Sequence, residues 1–169
     1  KLPAAALKET GIEKITLPEG IEEIASSAFE GSALKEITLP QYLEKIASSA
    51  FRDTPLQEIA LPENLRQLGS GAFRASDLRR IKIPSKITLL NSRLFCGCKN
   101  LTEVILHDNI TRIGVGVFKD CSSLAQISLP EQVTIIENAA FKDCVSLPTL
   151  KLPSGLKELG YGVFRGCVG

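Results

Sequence analysis

Hydrophobic positions in this chain recur at a long fixed interval, and three ladders of them run in register along its length. All seven phenylalanines form one ladder, Phe29, Phe51, Phe73, Phe95, Phe118, Phe141 and Phe164, with successive gaps of 22, 22, 22, 23, 23 and 23 residues. A second ladder, Leu-x-x-Ile-x-Leu-Pro, begins at Ile12, Leu34, Leu56, Leu78, Leu101, Leu124 and Leu147 with the same six gaps. The third, apolar-x-x-apolar, begins at Ile21, Leu43, Leu65, Ile87, Ile110, Val133 and Leu156. Repeats are numbered here by the second ladder, so that Ile12 opens repeat one and Leu147 repeat seven.

The pattern inside a repeat predicts its elements. Ile37-Thr38-Leu39 alternates apolar and polar residues with the period of a half-buried strand. Pro40 lacks an N–H and ends that strand. Leu43 to Phe51 suits a second short strand followed by a tight turn of helix, because 22 residues leave no room for a long helix. Such a unit buries its Leu, Ile and Phe only against like units above and below it. Seven of them at a strand spacing of about 4.8 Å make a stack roughly 30 Å long. The step from 22 to 23 residues falls just after the third position beyond Phe, which reads Ser32, Thr54, Ser76, Cys98, Cys121, Cys144 and Cys167. That position is expected to be buried, with modest volume. Counting back from Phe29 and Ile24 lands on Leu7 and Leu2, so residues 1–11 read as a degenerate half-repeat and residues 12–169 as seven repeats in one array. With no polar cap before Gly169, the array reads as part of a longer protein.

The segment from Leu101 to Cys121, Leu-Thr-Glu-Val-Ile-Leu…Ile-Thr-Arg-Ile-Gly…Val-Phe-Lys-Asp-Cys, resembles the treponemal or BspA-like class of bacterial leucine-rich repeat. The hallmark of that class is a 23-residue unit carrying Ile-Gly-x-x-Ala-Phe-x-x-Cys, and the first half of this chain departs from it with 22-residue repeats that lack Cys. The resemblance implies a mainly β, right-handed solenoid. One parallel sheet would lie on its concave side, with short strands and helical turns elsewhere. It also implies a secreted, cell-surface or periplasmic protein, of a kind in which many members act as adhesins.

Composition narrows the function classes. Apolar residues make up 44% of the chain but aromatic ones only 5%, with no Trp or Met, as expected where one small packing problem is solved repeatedly. Twenty basic and 19 acidic residues, spread evenly, give a net charge of +1, which points away from a nucleic-acid partner and from membrane insertion. No nucleophile with a base at a telling spacing suggests catalysis, and no cofactor is implied. Strand alternation puts the residues on either side of the central Ile in solvent. Glu58, Arg80, Lys82, Glu103, Ile105 and His107 then form the one cluster combining charge, an aromatic ring and an apolar side chain. They are the candidate partner-binding residues, for a protein or a glycan. The plainer reading is a solvated sheet with cross-strand charge pairs. Self-association through exposed repeat surfaces is the alternative function. The ladder cysteines suit buried free thiols, while Cys96, off the ladder, leaves a disulfide or thiolate metal site open.

Overall fold

The computed structural model describes residues 1–168, so Gly169 lies outside it. Among the described residues there are twelve short strands, β1–β12 in chain order, and no helix. They make two ladders of parallel strands. The first holds the Leu-x-x-Ile-x-Leu segments: β1 (Lys14–Thr16), β3 (Glu36–Thr38), β6 (Arg80–Lys82), β8 (Glu103–Ile105) and β10 (Gln126–Ile127). The second holds two-residue strands from the apolar-x-x-apolar segments: β2 (Glu23–Ile24), β4 (Lys45–Ile46), β5 (Gln67–Leu68), β7 (Leu89–Leu90), β9 (Arg112–Ile113), β11 (Ile135–Ile136) and β12 (Glu158–Leu159). Leu2 bridges Ile24, and the Leu7 N–H donates to Ala28 as each Phe does to the following repeat, so residues 1–11 continue the ladders.

The expected sheet is divided, as is the second ladder. β1 pairs with β3, and β6, β8 and β10 pair together, but repeat three contributes no strand between them. The reason is local. Ala33 and Asp77 send their N–H groups to Thr10 and Thr54 at 2.9 and 3.1 Å, and the equivalent residue of repeat three is Pro55, which has none to send. Pro148 does the same two positions later in repeat seven, where Thr102 and Ala125 make the bond in theirs. The second ladder splits into β2-β4-β5 and β7-β9-β11-β12 at Asn91. There the side-chain amide, at 2.6 Å, takes the Leu68 carbonyl that the main chain claims in other repeats.

The turn carrying Phe is continuous from end to end. Its N–H groups at Phe and two residues to either side donate to the next repeat: Ser27 to Ser48, Phe29 to Ala50 and Gly31 to Arg52, at 3.0, 2.8 and 2.9 Å. The intervening groups close turns within their own repeat, as in Glu30 to Ser27. The outer two positions adopt left-handed backbone in each repeat, whether or not the residue is Gly, as at Ser27, Ser49, Asp53, Ala75, Arg93, Asp120 and Ala139. These turns stand where helical turns are expected.

The Phe side chains are stacked with centroids 5.1–5.8 Å apart. Six are fully buried, and Phe164, in the last repeat, is partly so. Around them pack Leu34, Leu56, Leu78, Leu101 and Leu124 with Ile24, Ile46, Ile113 and Ile136. The position three beyond Phe is buried as expected from Ser32 to Cys144, half-buried at Cys167, and hydrogen-bonded in two ways. Ser32 and Thr54 return their hydroxyls to the Phe carbonyl of their own repeat at 2.8 and 2.9 Å. Cys98, Cys121, Cys144 and Cys167 reach the Phe carbonyl of the preceding repeat at 2.9–3.1 Å. All five cysteines are free thiols. Burial pushes Cys98 and Cys144 from the ordinary 9.0 up to about 12, and Cys121 well above that ordinary value, so the ladder thiols are protonated at neutral pH.

Truncating Phe73 or Phe118 to Ala should lower stability by about 3–5 kcal/mol in urea unfolding, and Phe164→Ala by visibly less. Equal losses at all three would contradict the core assignment. Ala75 is exposed and left-handed, so Ala75→Gly should raise stability by about 0.5–1 kcal/mol, the relief of the Cβ strain less the entropy of glycine. In thiol labelling of the native protein, Cys167 should react before Cys121 and Cys144. A folded-state pKa raised above the unfolded one stabilises the protein below the unfolded value. Stability should therefore fall as pH rises from 9.0 towards about 12, and fall less in the Cys98→Ser, Cys144→Ser variant.

Candidate functional site

On the first ladder the side chains flanking each central apolar residue point to solvent. Arg80 and Lys82 are exposed around buried Ile81 in β6, whereas Glu103 and Ile105 are half-buried around Val104 in β8. Ile105, expected to be exposed, is thus partly covered, and it sits in register with Lys82. Repeat three presents Glu58 and Ala60, both exposed, from a segment outside any strand. Across repeats one to five these positions form an open groove with a volume of about 960 Å³, lined in part by Glu58, Arg80, Lys82 and Ile105. Ile37, Ile59 and Ile81 supply apolar surface to it.

Of the remaining two sequence-derived candidates, Glu103 adjoins the groove through Arg80, whose Nε donates to its carboxylate at 2.7 Å. His107 stands apart. It follows β8 at the place Pro holds in neighbouring repeats, is half-buried, and accepts the Asn109 N–H on Nδ1 at 3.2 Å. That leaves the ring proton on Nε2, which is buried without a partner. His107 does not line the groove.

Ion pairs occupy most of the groove's charges. Lys14 pairs with Glu36, Lys35 with Glu13 at 2.9 Å, Arg80 with Glu103, and Lys82 with Glu63 at 3.4 Å. Cross-strand pairing was expected, but the Glu63 partner was not. It lies beyond Pro62, and its other oxygen accepts the Ser85 N–H of the next repeat at 3.5 Å. The same device recurs at Glu131, which meets the Ser154 N–H at 2.9 Å and Lys151 at 3.1 Å. The Ser154 N–H first, then Lys151, hold the Glu131 carboxyl down at about 2, and the corresponding groups keep Glu63 below the usual carboxylate range. Pro-Glu after the strand, at Pro18-Glu19, Pro62-Glu63 and Pro130-Glu131, is the sequence signal for it. Glu58, by contrast, forms no ion pair among the described residues.

A second, smaller groove of about 650 Å³ lies on the second ladder between Val115, Ile135, Lys157 and Leu159. The first groove is lined by charged, polar and apolar side chains, Thr38 and Gln57 among the polar ones. Among the described residues no helix is long and apolar enough to cross a membrane.

Known proteins place this architecture. Its structure is similar to that of a leucine-rich repeat protein from Bacteroides ovatus, 27% identical over 93% of this chain and 47% of that one, with a TM-score of 0.74. A leucine-rich repeat protein from Eubacterium ventriosum is 29% identical over 91% of this chain and 42% of its own, with a TM-score of 0.83. The pneumococcal vaccine antigen PcpA is 27% identical over 96% of this chain and 50% of its own, with a TM-score of 0.62. The chain thus spans about half the length of these solved structures. No curated protein matches it. The BspA type leucine rich repeat region matches residues 1–125 and 111–169, in six copies. Together those matches take in the whole chain, which therefore belongs to the BspA type leucine rich repeat family.

Proposed function

We propose that this chain is a non-catalytic binding module of a secreted or cell-surface protein, and that it holds a protein or glycan partner across the groove of the first strand ladder. The observation that carries this reading is the groove itself, where charged and apolar side chains of successive repeats lie within reach of one ligand. Glu58, Arg80, Lys82 and Ile105 make the central contacts, Glu103 orients Arg80, and His107 offers a further contact outside the groove. The exposed ion pairs hold their own partners only weakly, since pairs in water contribute about 0–1 kcal/mol. Arg80 and Lys82 are therefore available to exchange Glu103 and Glu63 for groups on a ligand. Family membership and the likeness to a vaccine antigen support the surface placement.

The test is a binding screen of the chain against arrays of bacterial and host surface proteins and of glycans. A ligand of the wild type should weaken by about tenfold or more in the Arg80→Glu, Lys82→Glu variant. Its affinity should also fall as salt rises. Melting temperature and solution mass should stay as they were. A variant that binds every wild-type ligand unchanged would sink the assignment of this face. If such a variant also stays a stable oligomer, self-association through repeat surfaces becomes the better account.

A further inference from the structure

The interruption of the first ladder at repeat three has a chemical consequence beyond topology. Among the described residues the main chain from Glu58 to Leu61 gives and receives no main-chain hydrogen bond, although the residues matching 58–60 in repeats two, four and five lie in paired strands. The carbonyls of this segment thus carry no main-chain partner. Ala60 stands where Thr38, Lys82 and Ile105 stand in the adjoining repeats, so the floor here carries only a methyl group. The charges follow the same geometry. Of six ionic side chains lining the groove, Lys14, Lys35, Glu36, Arg80 and Lys82 are paired, and Glu58 alone is not. Three of the pairs are closed by Glu13, Glu63 and Glu103 from outside the lining, so each pair is neutral and the Glu58 carboxylate is the one lining charge left without a counter-charge.

We infer that repeat three is a subsite for one cationic side chain, lysine or arginine, of a protein partner laid along the groove. The carboxylate of Glu58 supplies the counter-charge. The carbonyls of the 58–61 segment accept the remaining N–H groups of the cation, and Ile59 and Ala60 receive its methylene stem. This assignment rests on the groove being the binding face, and adds to it the class of partner group at its centre. The four satisfied pairs favour a single cation over a polybasic segment, because each further positive charge would meet Arg80, Lys82, Lys14 or Lys35.

The probe is a five-residue peptide, capped at both ends, whose one charge is a central lysine. Its norleucine counterpart keeps the stem and removes the charge. Each is titrated into the isotope-labelled chain and followed by amide shifts. The lysine peptide should give saturable shifts at the amides of 58–61, and the norleucine peptide should not. Glu58→Gln, which preserves shape and removes the charge, should weaken the lysine peptide by about tenfold without altering the melting temperature. Arg80→Glu with Lys82→Glu should strengthen that peptide, opposite to its effect on the array ligands. Equal binding of both peptides, unchanged binding by Glu58→Gln, or shifts confined to other repeats would overturn the subsite. Should the array ligands prove to be glycans lost on Arg80→Glu, Lys82→Glu while the lysine peptide leaves 58–61 unmoved, the binding face stands and the cation subsite falls. If both the peptide and the array ligands ignore these substitutions, the binding face falls as well.

Discussion

Three hydrogen bonds per repeat, sent from the Phe turn to the turn of the next repeat, are the constraint on which the rest of the architecture depends. The strands are too short to define a register by themselves, at two or three residues each. The turn bonds define it, because they fix both the rise from one repeat to the next and the direction in which alternate N–H groups point. To aim three alternate groups along the axis while the groups between them close local turns, the chain must enter left-handed backbone on either side of Phe. It does so in each repeat even with Ser, Ala, Asp or Arg in place. A non-glycine residue there costs about 1–2 kcal/mol, and the cooperative stack offsets it. Phe then has one place to go, inward, over the ring of the neighbouring repeat.

The fold was legible in the sequence for that reason. A residue with one permitted environment, repeated at a fixed rise, leaves a ladder that any reading of spacing finds. The divisions of the sheet were less so, although their causes were in view. Pro55 and Pro148 each remove one donor at a strand start, and Asn91 competes with the main chain through its side chain. Whether one missing bond dissolves a strand depends on how few others hold it, and a three-residue strand has few. The site was half legible. Strand alternation found Arg80 and Lys82 and brought Glu58 and Ile105 to the same groove. It overestimated the exposure of Ile105, which is half-buried, and it could not show that His107, beyond the strand, stands outside the groove lining. Glu63 was missed because it arrives from a loop, and loops carry no alternation to read.

The Cys ladder shows how a change of period is absorbed. In the 22-residue repeats a hydroxyl closes the turn on itself, whereas in the longer repeats a thiol reaches back to the carbonyl of the preceding repeat. Ser76, at the changeover, contacts the Cys98 sulfur at 3.5 Å and joins the two regimes. The second half of the array thus gains a cross-repeat bond at each step where the first half has a local one. Both choices satisfy a buried polar atom next to an apolar stack, which is the requirement common to them.

Both strand ladders are interrupted near the middle of the array, while the Phe turn passes through without a break. The molecule is therefore built like a backbone with ribs: a continuous spine along the aromatic edge, and side walls that are separate panels. A load applied to such an object bends it about the spine, and the panels part where they are already unjoined. For the groove this means that the spacing between its two panels, on either side of repeat three, is the soft coordinate, and the spacing between repeats at the aromatic edge the stiff one. The panels can draw together or part at repeat three without straining the aromatic edge, so the register between repeats is kept while the wall of the solenoid flexes.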